Sequence, residues 1–444
     1  MAQIPLLAHR SPDSVVAYRG GRPITARQFL ADARALAALV PAGGKLLNAC
    51  ADRYRFAVGL GACLIARTTS LLPPTQVPEV IRHVRALAPD ALCLDDHAAS
   101  AIGLPLVRYP LHPAQPSDDW QVPAIDGDQH AAWVFTSGST GTPVPHQKSW
   151  QHLVANVHAE AERLGLTGHG RHTIVATVPP QHMYGFESSV LVALQSGQAF
   201  CAERPFYPAD IAAVLASVPR PRILVSTPVH LRALLAAGLR QPSVDLVVCA
   251  TAPLDAMVAR RIEDLFGASL IEIYGSTETG QIASRRTTEA TEWQLWPGVA
   301  LTERDGRTWA AGGHVETPTP LGDVVEILPS GRFVLRGRTE DLVNIAGKRS
   351  SIAYLNHQLT AIPGVVDAAF FLPEVAADRS ATGTARLGAV VVAPGLTAAA
   401  IIHELRARVD PVFLPRPLLL VPHIPRNATG KLPRSELKSL LAST

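Results

Sequence analysis

The sequence predicts an α/β fold, with layers of mostly parallel sheets and helices in a large N-terminal domain and a small α+β domain after it. Three observations predict this arrangement. Short, continuous apolar runs indicate strands that are buried on both faces. Helical patterns with an apolar face alternate with these runs, as expected for layered α/β proteins. Towards the C-terminus, the pattern changes to alternating strands around a tight turn.

The large domain is expected to span residues 1–338. Its central strands are short apolar runs, predicted over 173–178, 222–226 and 246–250. Two helices are predicted from their apolar patterns, over 151–166 and 208–218. The second helix is expected to end before Pro219, because proline cannot continue a helix. Strands that alternate with helices in this way predict parallel pairing within the sheet.

The C-terminal residues 339–444 are expected to form the small α+β domain. Just before it, apolar strands on either side of Gly331 predict a hairpin, over 323–328 and 333–336. Within it, helical patterns and strand patterns follow one another, the former at 351–362 and 397–409 and the latter at 365–372, 387–392 and 418–421. A segment of this length with its own helices and strands can fold independently.

Composition and charge exclude several classes of protein. The 444 residues are 47% apolar and 17% charged, so the chain can bury a large core and is not disordered. The 40 Lys and Arg residues nearly balance the 37 Asp and Glu residues, and no basic stripe is present, so no nucleic-acid partner is expected. No apolar run reaches the ~18 residues of a membrane span, and no signal-peptide pattern is found, so we expect a soluble, cytoplasmic protein without a membrane partner. The five cysteines form no CxxC pair and lie in apolar stretches, which indicates buried thiols in a reducing compartment.

A candidate phosphate-binding loop follows the strand predicted over 131–135. It consists of Thr136, Ser137, Gly138, Ser139, Thr140 and Gly141. The glycines let backbone N–H groups point toward an anion, and the hydroxyls can donate hydrogen bonds to phosphate oxygens. The Gly-Lys-Ser/Thr ending of a Walker A loop is missing. Taken alone, the segment is equally compatible with a flexible polar turn.

A second segment, residues 274–278, reads Tyr-Gly-Ser-Thr-Glu at the end of another apolar strand. Tyr274 can stack on a base, Thr277 can hydrogen-bond a phosphate, and Glu278 can hold Mg²⁺ directly or through water. Alternatively, Glu278 is simply an acidic residue at a helix N-terminus, where the helix dipole favours a negative charge.

Three charged residues nearer the C-terminus could contact the same ligand. The guanidinium of Arg338 suits ribose hydroxyls or phosphate. Lys431 follows a glycine turn, and Asp323 begins a predicted strand. Each residue also has an ordinary explanation: Asp323 only starts its strand, Arg338 pairs with Glu340 on the surface, and Lys431 is solvated.

Together these motifs resemble the adenylate-forming superfamily, which includes acyl-CoA synthetases, peptide-synthetase adenylation domains and luciferases. Five signature segments of that superfamily occur in the same order, at 136–141, 178–182, 250–254, 274–278 and 425–431. The resemblance implies an ATP-dependent acid–thiol ligase. In its first step a carboxylate attacks the α-phosphate of ATP and expels pyrophosphate, and in its second step a thiol attacks the acyl-AMP.

The resemblance also implies a role for each matched residue. Residues 136–141 would hold the β- and γ-phosphates, Thr277 the α-phosphate, and Glu278 the Mg²⁺ ion. Asp323 and Arg338 would bind the ribose, while Lys431 would bridge the carboxylate and the α-phosphate. Among the remaining matched positions, His182 is implied to take part in catalysis. The others are implied to contact the nucleotide: Ala250, Thr251, Ala252, Tyr274, Gly275 and Ser276.

The same resemblance implies that the small domain rotates between the two steps. The rotation withdraws the lysine and opens a channel for the thiol. Glu340 occupies the hinge position, which is usually an aspartate, and residues 347–349 match the loop that swings in. The alternative interpretation of this segment is an exposed charged turn.

Two positions depart from the superfamily pattern. A lysine usually follows the proline of the phosphate loop, but Val144 follows Pro143 here, and the next lysine is Lys148. Whether Lys148 reaches back to the phosphates is left open. The usual Gly-Gly before Ala-Pro is replaced by Ala250 and Thr251, which makes this wall of the acid pocket bulkier.

The acid pocket is implied to be lined by five residues, Tyr184, Phe186, Thr227, His230 and Gly280. Flat aromatic side chains and a bulky wall favour a small aromatic acid over a long alkyl chain. Tyr184 and Phe186 are, however, equally compatible with ordinary core packing. A fatty or other acyl acid is the second candidate.

An amino acid is the third candidate substrate because of Glu187. In peptide-synthetase adenylation domains, an acidic residue near this position contacts the substrate amine. A glutamate in the first turn of a helix, predicted here over 187–195, nevertheless needs no ligand to explain it.

The short chain and the loop sequence at 135–150 are similar to those of compact ligases from aryl-polyene and xanthomonadin pigment clusters. Those ligases transfer an aromatic acid, such as a hydroxybenzoate, to an acyl carrier protein. The expected partners are therefore a small carboxylic acid and either a carrier protein or CoA, with ATP and Mg²⁺ as cofactors. A phosphotransferase and a non-catalytic nucleotide-binding protein are alternatives from other classes, although the presence of Lys431 favours an enzyme.

Overall fold

A computed structural model describes residues 2–73, 75–97, 102–118, 120–136, 144–168, 170–338, 342–345, 348–372, 387–427 and 432–442. The chain groups into two units. The first contains Met1–Ala290, Gln294–Ala300 and Ala311–Thr319, and the second contains Thr291–Trp293, Leu301–Ala310 and Pro320–Thr444. The domain limits expected from the sequence, 1–338 and 339–444, stay a prediction.

Strands and helices alternate through the first unit, as the sequence predicts. The elements of both units are given together here, in chain order. The strands are, in chain order, β1 (Gln3–Pro5), β2 (Val15–Arg19), β3 (Arg22–Thr25), β4 (Lys45–Asn48), β5 (Thr69–Leu72), β6 (Leu92–Asp95), β7 (Leu106–Arg108), β8 (Ala124–Asp126), β9 (His130–Thr136), β10 (Val144–Ser149), β11 (Thr173–Ala176), β12 (Ala199–Cys201), β13 (Arg222–Ser226), β14 (Leu246–Cys249), β15 (Ser269–Ser276), β16 (Gly280–Arg285), β17 (Gln294–Leu295), β18 (Ala300–Arg304), β19 (Arg307–Gly312), β20 (Val315–Pro320), β21 (Asp323–Ile327), β22 (Phe333–Arg338), β23 (Leu342–Ile345), β24 (Lys348–Ser351), β25 (Asp367–Phe371), β26 (Gly388–Val392) and β27 (Leu418–Leu420). The α-helices are α1 (Ala26–Ala37), α2 (Arg53–Ile65), α3 (Pro78–Leu87), α4 (Trp150–Arg163), α5 (Met183–Gly185), α6 (Val192–Ser196), α7 (Pro208–Ser217), α8 (Pro228–Ala237), α9 (Ala256–Phe266), α10 (Ile352–Thr360), α11 (Ala398–Arg406) and α12 (Arg434–Ala442). A π-helical turn (Phe186–Leu191) lies between α5 and α6, and a 3₁₀ turn (Pro411–Phe413) lies between α11 and β27.

The largest sheet has a parallel centre. Its strand order among the described residues is β17-β16-β15-β14-β13-β11-β12-β2-β3, with parallel pairing from β15 to β2 and antiparallel pairing at both edges. Side chains of β13 and β14 are buried on both faces, which explains why these strands are unbroken apolar runs. The three predicted central strands and the α/β class are therefore confirmed.

A second sheet carries the start of the candidate phosphate loop. Its order is β10-β9-β5-β4-β6-β7, and only β10 runs antiparallel to its neighbour. The strand predicted over 131–135 is confirmed as β9, which ends at Thr136. The predicted helix over 151–166 is confirmed as α4, which buries Leu153, Val157 and Ala161 on one face.

The helix predicted over 187–195 differs from its prediction in start and geometry. Helical backbone begins at Met183, and the π-helical turn separates α5 from α6. Glu187 therefore lies one turn inside the helical segment, where it is fully buried. The expectation that it occupies a first turn is wrong, because the apolar residues that precede it are also helical.

The second unit has its own core. Strands β21 and β22 pair as the predicted antiparallel hairpin. Strands β25, β26 and β27 form a sheet on which α10 and α11 pack, with Leu355, Val391 and Leu405 among the buried contacts. The predicted helices and strands of the last hundred residues are confirmed, with ends that differ by a few residues.

All five cysteines are buried and none is in a disulfide, as the apolar stretches around them predict. Within the described ranges, no helix combines the length and apolar composition that crossing a bilayer requires.

Candidate active site

The parallel strands bring several predicted site segments to one edge of the large sheet. Val225, Val248 and Ile271 are aligned across β13, β14 and β15. The residues that follow these strands therefore leave the sheet side by side. They include Thr227 after β13, Ala250 after β14 and Thr277 after β15. In open α/β sheets, ligands bind at the carboxyl ends of the strands in this way.

Residues 274–280 form a tight hairpin between β15 and β16. The hydroxyls of Ser276 and Thr279 each accept the other residue's backbone N–H, at 3.2 Å, and so close the turn. Gly275 is required here, because a Cβ atom would lie 2.3 Å from the carbonyl oxygen of Gly280. Thr277 and Glu278 are left at the tip. The alternative interpretation of Glu278 as a helix N-terminal residue is wrong, since a strand follows the turn.

Strand β10 contacts this tip with two side chains. The Nε2 atom of His146 lies 3.2 Å from Thr136 Oγ1 and 3.7 Å from Glu278 Oε1. Lys148 donates a hydrogen bond from Nζ to the backbone carbonyl of Glu278, at 2.7 Å. The end of β9, strand β10 and the 274–280 hairpin are thus joined by polar contacts. Burial lowers the pKa of His146, although Glu278 opposes the shift.

A buried acidic network lies beside the hairpin. The side-chain amide of Asn156 donates to Glu187 Oε1, and that of Gln281 donates to Ser188 Oγ at 2.7 Å. Burial raises the pKa of Glu187 well above its usual value, and the nearby Glu160 adds to the shift. Burial also raises the pKa of Glu160, to about 8. Gly280 abuts this network: its φ is +73°, and a Cβ atom there would lie 3.0 Å from Glu187 Oε1.

Three of the predicted acid-pocket residues lie at the same edge of the sheet: Tyr184, Thr227 and His230. The Tyr184 hydroxyl donates to the carbonyls of Ser226 and Val248, at 3.2 and 3.0 Å. Thr227 Oγ1 and His230 Nδ1 are 2.9 Å apart, and Phe206 packs edge-to-face on His230. These contacts place Tyr184 and His230 next to the strand ends.

Two further predicted residues have other neighbours. Phe186 is fully buried and packs edge-to-face on Phe56, which is the core packing that the alternative interpretation expects. His182 is half-buried immediately before α5, where its carbonyl accepts the N–H of Phe186 at 2.8 Å. Their roles in binding and catalysis stay predictions.

The position that is usually glycine in the superfamily has unusual backbone geometry. Thr251 has a φ of +86°, in the left-handed region that β-branched residues rarely adopt. Its buried Oγ1 atom has no hydrogen-bond partner among the described residues. Ala250 on one side is buried and Ala252 on the other is exposed. The geometry explains why glycine is common here, and it shows that this chain tolerates backbone strain at Thr251.

We expect Thr251→Gly to increase the free energy of unfolding by about 0.5–1 kcal/mol. Relief of left-handed strain, about 1–2 kcal/mol, outweighs the added chain entropy of glycine, about 0.4–1 kcal/mol. Urea unfolding of the two proteins measures the difference. The matched control is Ala252→Gly, which lacks the positive φ and should be destabilising. Equal destabilisation by both substitutions would show that Thr251 is not strained.

In the second unit, Asp323 and Arg338 are directly opposite each other across the β21–β22 hairpin. Asp323 is partly buried. Because the two residues are paired on one hairpin, both could contact the same ribose. Ribose binding by Asp323 and Arg338 stays a prediction. Other predicted site residues lie outside the described residues: Ser137, Gly138, Ser139, Thr140, Gly141, Glu340 and Lys431, together with the side chain of Arg338.

Sequence reasoning missed the buried Arg53 of this region and the partner of Lys148. Arg53 is fully buried and hydrogen-bonds the carbonyls of Ala176 and Val178, where β11 ends at the site edge. The contact between Lys148 and Glu278 was also missed. The only signal for Lys148 in the sequence is its alternation with His146 on one strand, a spacing that puts both side chains on the same face.

Comparison with known proteins gives the family. The family model described as AMP-binding enzyme matches residues 7–328. The 4-coumarate–CoA ligase of Rhodobacter capsulatus is 30% identical over 280 residues, which cover 62% of this chain and 66% of that enzyme. A 4-chlorobenzoate–CoA ligase of Arthrobacter is 26% identical over 70% of this chain and 66% of that enzyme. The chain thus spans about two thirds of the length of these relatives.

Solved structures match over almost the whole chain. The o-succinylbenzoate CoA synthetase of Bacillus subtilis, in complex with AMP, has a TM-score of 0.83 at 18% identity and covers 98% of both chains. ATP-bound MatB of Rhodopseudomonas palustris has a TM-score of 0.80 at 19% identity, over 98% of this chain and 97% of that one. At such identities these matches show a shared fold. Together with the family model, they establish that the chain belongs to the AMP-binding enzymes of the adenylate-forming superfamily.

Proposed function

We propose that this chain is an AMP-forming acid–thiol ligase for a small aromatic acid. A carboxylate oxygen attacks the α-phosphorus of ATP, and the bond to pyrophosphate breaks. A thiolate then attacks the acyl carbon, so that a thioester forms and AMP leaves. The observation that carries the proposal is the hairpin tip with Thr277 and Glu278, held against Thr136 and β10 at the carboxyl ends of parallel strands.

The residues of this edge suit the first step. ATP and a carboxylate are both anionic, so the site must supply hydrogen-bond donors and positive charge where the negative charge accumulates. Thr277 would donate to the α-phosphate, and Lys431 would supply the charge between the two reactants. Glu278, whose side chain is 39% exposed, is a carboxylate of the kind Mg²⁺ prefers and would hold the ion. When bound, Mg²⁺ would neutralise the charge on the triphosphate.

Two observations support an aromatic acid over an amino acid. Several relatives are named for aromatic acids, among them a 3-hydroxybenzoate–CoA/4-hydroxybenzoate–CoA ligase of Thauera aromatica, 23% identical over 71% of this chain. In addition, Glu187 already accepts a hydrogen bond from Asn156, and the positive charge of Lys148 acts on it. Burial raises its pKa and so favours the neutral carboxyl, which already has a partner within the protein, and a substrate amine is not needed to explain it. We therefore rank a hydroxybenzoate or similar aryl acid first.

The acceptor is proposed to be a phosphopantetheine thiol, which acyl carrier proteins and CoA both present. The resemblance to compact pigment-cluster ligases favours a carrier protein and a role in pigment biosynthesis. The names of the relatives favour CoA. The test below therefore includes both acceptors.

Pyrophosphate release should depend on both ATP and an aryl acid. The purified protein is assayed with hydroxybenzoates, cinnamates, fatty acids and amino acids, each with CoA, with a phosphopantetheinylated carrier protein or with neither. We expect the greatest release with a small aryl acid, and thioester formation with one of the two acceptors. Formation of ADP or phosphate instead of AMP would identify a phosphotransferase. Tight nucleotide binding without turnover for any acid would identify a non-catalytic nucleotide-binding protein.

A further inference from the structure

Strand β10 begins at the position where the phosphate loop of this chain lacks the lysine that is usual in the superfamily. Val144 occupies the usual lysine position, and Lys148 lies four residues further on. Because side chains alternate along a strand, Val144, His146 and Lys148 share one face of β10. Val144 is exposed, whereas Lys148 is buried beneath the 274–280 hairpin. The two positions are about 13 Å apart along the strand.

The ammonium of Lys148 is committed to the hairpin. It is nine-tenths buried and donates to the carbonyl of Glu278 at 2.7 Å. That carbonyl belongs to the peptide between Glu278 and Thr279, in the middle of the turn. A hydrogen bond from a charged donor inside a protein is worth more than a neutral one. The contact therefore restricts the orientation of the tip on which Thr277 and Glu278 lie.

Three acidic groups lie around Lys148. Burial lowers the pKa of Lys148, and the charges of Glu187, Glu316 and Glu278 oppose this shift. Glu316 is itself held, because its Oε1 accepts hydrogen bonds from the N–H and the hydroxyl of Ser149. The lysine thus has acidic neighbours in addition to the Glu278 carbonyl that accepts its hydrogen bond.

From these contacts, we propose that Lys148 is a positioning residue for the nucleotide-binding turn 276–279, and that it does not replace the missing phosphate-loop lysine. This inference rests on the proposed function, from which we take the ligand of the turn to be AMP or ATP. Lys148 acts through the Glu278 carbonyl on the residues that meet the α-phosphate. Its effect should consequently be the same for AMP and for ATP, since both nucleotides contain that phosphate.

The test compares Lys148→Met, Lys148→Gln, Val144→Lys and the double variant Val144→Lys/Lys148→Met. Binding of AMP and of ATP is measured by calorimetry without metal, and thermal unfolding is measured in parallel. We expect Lys148→Met to weaken both nucleotides by a similar factor, about 10- to 100-fold. Lys148→Gln, which keeps a neutral donor, should recover part of the loss. In the double variant, the lysine at 144 should not restore AMP binding.

Two results would overturn the proposal. If Lys148→Met weakened ATP but not AMP, and Val144→Lys restored ATP binding, Lys148 would be a phosphate ligand. If Lys148→Met lowered only the unfolding temperature and left both affinities unchanged, the lysine would be a structural counter-ion for Glu187. In turnover assays, positioning predicts a higher KM for ATP with a smaller change in kcat. Failure of the proposed function would show separately, as wild-type protein that binds AMP but releases no pyrophosphate with any acid.

Discussion

Replacing Arg53 by methionine is expected to lower the free energy of unfolding by at least about 3 kcal/mol. The guanidinium is fully buried and donates to Ser189 Oγ at 3.1 Å. It also donates to four backbone carbonyls, those of Ala176, Val178, Cys201 and Glu203, at 2.7–3.2 Å. Methionine fills similar space but removes the guanidinium donor from these carbonyls. A buried polar group that loses its partner costs about 1–3 kcal/mol.

Charge does not complicate this experiment at neutral pH. Burial lowers the pKa of Arg53 to about 10, so the side chain is still protonated. The matched control is Arg19→Met, which removes an exposed guanidinium that pairs with Asp52 at 2.7 Å. Such a surface pair contributes about 1 kcal/mol or less. Urea unfolding should therefore shift strongly for Arg53→Met and slightly for Arg19→Met, and equal shifts would contradict the anchoring role of Arg53.

Glu278→Gln is expected to reduce acid-dependent ATP–pyrophosphate exchange by about 100-fold or more. The substitution keeps the size of the side chain and the backbone carbonyl that Lys148 holds. It removes the negative charge that would bind Mg²⁺. Metal-free AMP binding should therefore change little, while exchange should fall and its dependence on Mg²⁺ should move to higher concentration.

The control for this prediction is Glu289→Gln. Glu289 is an exposed glutamate, 62% accessible, that forms an ion pair with Arg286. Its substitution should leave exchange unchanged. The metal role of Glu278 is wrong if Glu278→Gln exchanges at the wild-type rate across the whole Mg²⁺ titration. Lys431→Ala is a useful comparison, because loss of the bridging cation should also lower exchange, but the remaining exchange should keep the wild-type Mg²⁺ dependence.

Local patterns were sufficient for the strands and for the order of the motifs. Strands β11, β13 and β14 are buried on both faces, and such strands are continuous apolar runs that composition alone reveals. The hairpin of β21 and β22 was equally clear from its glycine turn. These features depend on residues close together in the chain.

Features that depend on distant contacts could not be predicted. Glu187 and Glu278 both looked like acidic residues in a first helical turn, yet one is inside a helical segment and the other is on a hairpin tip. Nothing near Lys148 indicates that its partner is 130 residues away, and Arg53 reaches carbonyls more than 120 residues distant. Charge and burial at these sites are set by tertiary packing, which a single sequence does not display.

The π-helical turn at Phe186–Leu191 has a consequence for how this chain can change in length. A π turn contains one residue more than an α turn, so deletion of a single residue there would restore ordinary helix. Each residue of an α-helix advances the rotation by about 100°. The extra residue is absorbed within the wide turn, so its deletion would leave Tyr184 and α6 near their present positions, whereas a deletion within α6 would rotate the residues on one side of it by about 100°. One residue can therefore be removed between Tyr184 and α6 while the Tyr184 hydroxyl keeps its bonds to the carbonyls of Ser226 and Val248.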